Sequence, residues 1–310
     1  MASQPVLHGP RFEIALGDEA YPWLLATMQD APKRIYGIGN PEALTPGIAV
    51  IGARKATPYG LAAAKRFAEH AAKRGVPIIS GGARGCDQEA HRAALKIGAP
   101  TVVVFGSGAD VVYPRMGARL FQQVIDARGA VISENPWGTP PLGHTFLRRN
   151  RIIAGLSMLL VIAEAGMPSG TFSTADAALA ADRSVAAVPG SITSPYSKGS
   201  NFLISQGAVH KISDAIDHFY RKTRHLVDHH RHGVIGYELR LGRHYRLPCR
   251  RLRHFILCPF SVIIVGNIRK HERFHEFFDE CGFSRPHGTY NPYVYIASRA
   301  SGNILIYACI

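Results

Sequence analysis

Ile48-Ala49-Val50-Ile51-Gly52-Ala53-Arg54-Lys55-Ala56-Thr57-Pro58-Tyr59 is the stretch on which the architecture turns. Four apolar residues follow one another without a polar partner. Continuous apolarity, rather than alternation, is expected of a strand covered on both faces, as in a parallel sheet. Gly52 then permits a tight turn. Thr57 is a suitable helix cap and Pro58 fits a first helical turn. The segment from Tyr59 to Arg74 places Ala63, Phe67 and Ala71 on one side, as an amphipathic helix requires.

The same phrase recurs on the C-terminal side. Short, β-branched-rich runs appear at Val76 to Ile79, Thr101 to Phe105, Ala130 to Ile132, Met158 to Ile162 and Val185 to Val188. Helical stretches are expected between them, from Asp87 to Ile97, Arg115 to Arg128, Thr145 to Leu156 and Thr171 to Ala181. Strand, loop and helix in repeated alternation imply an α/β fold: a doubly wound, mostly parallel, Rossmann-like sheet with helices on both faces. On the N-terminal side, residues 1–34 show little periodicity beyond a small helical start at Tyr21 to Leu25, and are read as a short separate segment. The α/β domain is assigned to 35–220.

After Tyr220 the texture changes. Residues 221–310 hold three alanines, but nine of the 15 histidines and four of the five cysteines. This segment is read as an atypical basic tail: a separate module, a stretch without settled fold, or the product of a shifted reading frame. His271 and His275, near Cys258 and Cys281, lack a Cys-x-x-Cys pair, so no metal site is expected.

The 310 residues are 46% hydrophobic and 19% charged, which is a globular balance. The formal charge of +14 points toward a polyanion. Its distribution weakens that argument, because residues 1–220 carry 21 Lys/Arg against 16 Asp/Glu, while 221–310 carry 15 against 6. No run approaches the ~20 apolar residues of a membrane-spanning helix. Nor does the N-terminus have the form of a secretory signal. A cytoplasmic protein without disulfides is expected.

In an open parallel sheet, ligands sit beyond the carboxyl ends of the strands, near helix N-termini. Five loops there suit phosphate. Gly52, Ala53, Arg54 and Lys55 form the first. Gly81, Gly82, Arg84 and Gly85 form the second, a glycine turn whose amides could approach an anion; Asp87 behind it is read as a helix cap, and His91 as equally suited to packing or to the pocket. Gly106 and Ser107 form the third. Arg148, Arg149, Asn150 and Arg151 form the fourth, a positive helix start that would be a poor neighbour for its own dipole unless an anion sat there. Ser169, Gly170 and Thr171 form the fifth. No dinucleotide fingerprint, triphosphate loop or nucleophile elbow is present, and no carboxylates are paired by local spacing. The reading is anion binding without a catalytic constellation, and no cofactor is implied.

Taken in order, several stretches resemble the DprA/Smf family of bacterial DNA-processing proteins. They are Ile35 to Asn40, Val50 to Arg54, Ser80 to Asp87 with His91, Tyr113-Pro114, Phe146 to Gly155, Ser169-Gly170-Thr171, Pro189-Gly190-Ser191 and Gly199-Ser200-Asn201. The resemblance implies a non-enzymatic, homodimeric protein that binds single-stranded DNA, protects it during natural transformation and loads the RecA recombinase. It places the family's Gly-Ser/Ala-Arg motif at Gly52, Ala53 and Arg54, and the basic residue before Asn at Arg149. Leu147 stands where the family usually has proline. The alternative is a nucleotide-binding protein of similar fold, such as a nucleoside-monophosphate phosphoribohydrolase or a nucleotide sensor; its Pro-Gly-Gly-x-Gly-Thr loop would correspond to Pro168-Ser169-Gly170-Thr171, which lacks the double glycine.

Overall fold

The computed structural model describes residues 5–220, together with the backbone of four short strands between 255 and 308. The chain divides into two compact units, Met1–Arg224 and His225–Ile310. In the second, β9 (Phe255–Cys258) pairs with β10 (Ser261–Ile264), and β11 (Tyr295–Ala300) with β12 (Asn303–Ala308), both antiparallel. The Arg/His runs and the side chains of Cys258, His271, His275 and Cys281 lie outside the described residues.

The first unit is built on an eight-stranded sheet in the order β1-β2-β6-β5-β4-β3-β7-β8. Its strands are β1 (Arg11–Ala15), β2 (Arg34–Gly39), β3 (Gly47–Ile51), β4 (Ile78–Ser80), β5 (Thr101–Val104), β6 (Ala130–Ser133), β7 (Ser157–Ile162) and β8 (Ser184–Ala187). From β6 to β8 every neighbouring pair is parallel. The chain steps outward from β3 through β4 and β5 to β6, then returns to the other side of β3 with β7 and β8. A crevice therefore opens between β3 and β7, where the order reverses.

The helices are α1 (Trp23–Ala26), α2 (Pro58–Ala72), α3 (Cys86–Ile97), α4 (Ala118–Asp126), α5 (Gly143–Leu156), α6 (Thr171–Ala180) and α7 (Lys198–Ser205), with a last helix over 212–220. They cover both faces. In β3, Ala49 and Ile51 pack on the side of α5 and α6, with Ile152, Ile153, Leu156 and Ala178. Ile48 and Val50 point the other way, onto Ala64, Ala68 and Ala71 of α2 and Ala90 and Ala94 of α3. The unbroken apolar run of β3 is thus two interleaved apolar faces.

The sheet also takes in residues that show little periodicity. β1 joins antiparallel to β2, and β2 antiparallel to β6. Phe12 lies opposite Gly37, and a Cβ at Gly37 would collide with the Phe12 ring. The alternation Arg11-Phe12-Glu13-Ile14 is the period of a strand with one open face, but it lasts only five residues.

Candidate functional site

The crevice between β3 and β7 is a cleft of about 760 Å³, bounded by the ends of β3 and β7, the glycine turn after β4, α5 and the start of α6. One buried carboxylate organises its first wall. Glu164, just beyond β7 and 2% exposed, accepts from the Thr57 amide at 2.8 Å and its hydroxyl at 2.5 Å. Thr57 caps α2 in turn, accepting from Gly60 N. The Glu164 carbonyl accepts from Ala53 N at 2.9 Å. The segment from Gly52 to Thr57 is therefore tied down at both ends. Arg54 and Lys55 project from it into solvent, and neither has a carboxylate partner among the described residues.

The glycine turn after β4 already holds an anion of its own. Asp87, 6% exposed, accepts from the amides of Gly81 at 3.2 Å and Ala83 at 3.3 Å. These amides converge as the sequence suggested, but on the protein's own carboxylate. Gly85 joins this turn to the Arg54 loop: its φ is +85°, and a Cβ there would press on the Ala53 carbonyl. Burial pushes the Asp87 carboxyl above its ordinary range, while nearby Arg149 and the amides pull it down.

Arg149, 5% exposed, forms part of the cleft floor. It donates from Nη1 to the Val104 carbonyl at 2.6 Å, its Nε makes no hydrogen bond, and burial lowers its pKa to about 10. A Cβ at Gly81 would run into the Arg149 guanidinium, so that glycine makes room for it. On the far side of the cleft, Ser169, Gly170 and Thr171 begin α6, with the Ser169 hydroxyl accepting from Thr171 N at 3.3 Å.

The profile of the family described as DNA recombination-mediator protein A matches residues 13–222. The chain belongs to that family. It is 42% identical over 197 residues to Protein Smf of Escherichia coli, covering 63% of this chain and 53% of that protein. It is 40% identical over 200 residues to the DNA processing protein DprA of Streptococcus pneumoniae, covering 64% of this chain and 70% of that protein. The chain thus spans about half the length of Smf. The crystal structure of the pneumococcal protein superposes with a TM-score of 0.60 at 38% identity, over 66% of this chain and 72% of that one. A Helicobacter pylori DNA processing protein A, whose structure is described as revealing its single-stranded DNA binding mode, superposes with a TM-score of 0.62 at 29% identity, over 69% of this chain and 98% of that one.

In this family member the expected phosphate loops divide into two groups. Gly52, Ala53, Arg54, Lys55, Arg149, Asn150, Ser169, Gly170 and Thr171 line one cleft. Gly81, Gly82, Arg84, Gly85, Gly106, Ser107, Arg148 and Arg151 do not. Gly82 packs against Val103 and Phe121. Gly106 is closed over by Phe146, and the buried Ser107 donates to the Val111 carbonyl at 2.6 Å. Arg148 and Arg151, one turn apart on α5, both reach Glu134 Oε2, at 3.0 and 2.7 Å, and Arg151 also pairs with Asp30 at 3.1 Å. α5 begins at Gly143, so these arginines occupy its middle turns and not, as expected, its N-terminus, and Arg148 and Arg151 are answered there by carboxylates of the chain.

His91 takes the packing role. Thr101 gives its single hydroxyl proton to the Ile78 carbonyl and so accepts from His91 Nδ1, at 2.7 Å. Burial, with Arg92 and Arg149 nearby, lowers the His91 pKa to about 3. Tyr113, Phe146 and Tyr196 also line the cleft. Tyr113 and Phe146 fall within the stretches that carry the resemblance; Tyr196 lies in the loop after β8, where no spacing marks it.

Proposed function

We propose that this chain binds single-stranded DNA through its phosphates in the crevice between β3 and β7. The observation that carries the reading is the pair Arg54 and Lys55, two exposed cations without carboxylate partners among the described residues, on a loop that Glu164 holds in place. A preset cation beside the first turn of α6 suits a phosphate chain. The carboxylates nearest the cleft, Asp87 and Glu164, are buried and occupied by backbone amides and a hydroxyl. That engagement favours binding over turnover. The DNA-binding description of the Helicobacter pylori relative agrees with this reading.

The family extends the proposal: a cytoplasmic homodimer, not an enzyme, protects incoming strands during natural transformation and loads RecA onto them. Residues 35–220 carry the site, and the basic residues of 221–310 add nonspecific affinity. No helix among the described residues is long and apolar enough to cross a membrane.

Titration of the full chain with a labelled oligo(dT), competed by unlabelled single strand, duplex or mononucleotide, tests the binding claim. The single strand is expected to compete at concentrations at which a mononucleotide does not, since each phosphate adds a contact. Preferential displacement by a mononucleotide, with release of free base on incubation, would refute the proposal in favour of a nucleotide-processing site.

A further inference from the structure

Phosphate contacts alone do not explain why the cleft carries so much exposed ring surface. Tyr113 is 43% and Tyr196 51% exposed, and both line the cleft. Neither hydroxyl has a hydrogen-bond partner among the described residues. Tyr113 is backed on one side by Phe146, with ring centroids 5.1 Å apart at 51°. Such support fixes a ring without covering its outer face.

The two rings reach the cleft from different parts of the parallel sheet. Tyr113 follows β5 and Tyr196 follows β8, and the sheet runs β5-β4-β3-β7-β8 between them. Four strand spacings of about 4.8 Å set the ends of β5 and β8, from which the two loops rise, roughly 19 Å apart. At about 3.4 Å per stacked nucleotide, that distance corresponds to some five or six nucleotides. Arg54 and Lys55, without carboxylate partners among the described residues, line the same cleft.

We propose that Tyr113 and Tyr196 are base-stacking platforms that flank the phosphate site, so that one single strand of at least about six nucleotides engages both. This rests on the phosphate-binding reading and adds to it the recognition of exposed bases. Every base offers a π-face, so stacking of this kind is indifferent to sequence. A duplex keeps those faces inside its own stack, and the rings thereby select single strands. The charge complementarity of the cleft commits the occupant to a polyanion, and the rings commit that polyanion to one with unpaired planar bases.

The test uses the full chain and two 12-mers with the same backbone, one of thymidylate and one of abasic residues. The readout is the ratio of their affinities, which cancels any general loss of folded protein. Wild type is expected to prefer the thymidylate strand by about fivefold or more for each ring engaged. Tyr113→Leu and Tyr196→Leu should each lower the ratio, the double variant should bring it near one, and Tyr→Phe at either position should retain it. Equal binding of the two strands by wild type, or an undiminished ratio in the double leucine variant, would overturn the stacking proposal while leaving phosphate binding in place. Binding of neither strand at low salt would overturn both.

Discussion

Arg54 and Arg149 have the same charge but opposite physical situations. Arg54 is exposed on a loop, and its removal leaves nothing buried. Its replacement by alanine should change stability by no more than about 0.5 kcal/mol. Arg149 is enclosed, bonded to the Val104 carbonyl and within electrostatic reach of buried Asp87. Arg149→Ala should cost about 2–4 kcal/mol, because a cavity, an unanswered carbonyl and an uncompensated carboxylate remain. Thermal melts of the two variants check this contrast, and loss of DNA binding in Arg149→Ala is to be read only alongside its melt. His91 makes a prediction about pH. Its folded pKa, about 3, lies below the ordinary 6.5. Its contribution is therefore complete above pH 6.5 and declines as pH falls toward 3, by up to about 1.4 kcal/mol per unit. His91→Gln should flatten the stability profile between pH 6.5 and 4 relative to wild type; parallel profiles would contradict this assignment.

At the scale of elements, the Arg54 loop depends on Gly85 as much as on its own sequence. With φ at +85° and the Ala53 carbonyl where a Cβ would stand, Gly85 has no room for a side chain. Gly85→Ala should cost about 2 kcal/mol or more and weaken DNA binding through displacement of the loop. Urea unfolding with an unchanged m-value would report the first effect, and an oligonucleotide titration the second. How much of this was legible varied from element to element. β3, β5 and β7 could be read directly, because a strand buried on both faces is apolar without interruption. β1 could not, since five alternating residues do not stand out against an irregular segment. Along α5 the four polar residues from Arg148 to Asn150 and Arg151 read as one patch. In space the helical repeat sends Arg148 and Arg151 to Glu134, and Arg149 and Asn150 to the cleft. The glycine turn after β4 shows the same limit: its amides could be located, but not that Asp87 already occupies them. Glu134 comes from a segment that local spacing does not reach, whereas Asp87 lies only six residues from Gly81 but its direction depends on how the turn folds.

At the scale of the whole molecule, the reversal of strand order between β3 and β7 decides where a ligand can lie. It follows from the order of connections and not from any one loop. Total charge was a poor guide by comparison, since most of the excess falls in residues 221–310. Arg54 and Lys55, the two cations of the proposed site, line the cleft at that reversal. The most direct test of the central claim is the salt dependence of single-stranded DNA affinity for wild type and for the Arg54→Ala/Lys55→Ala double variant. Each phosphate contact to a single strand contributes about 0.7 to the slope of log K against log salt. The double variant should bind more weakly at low salt, with a slope smaller by about 1.4. An unchanged affinity and an unchanged slope would mean that the strand does not enter this cleft.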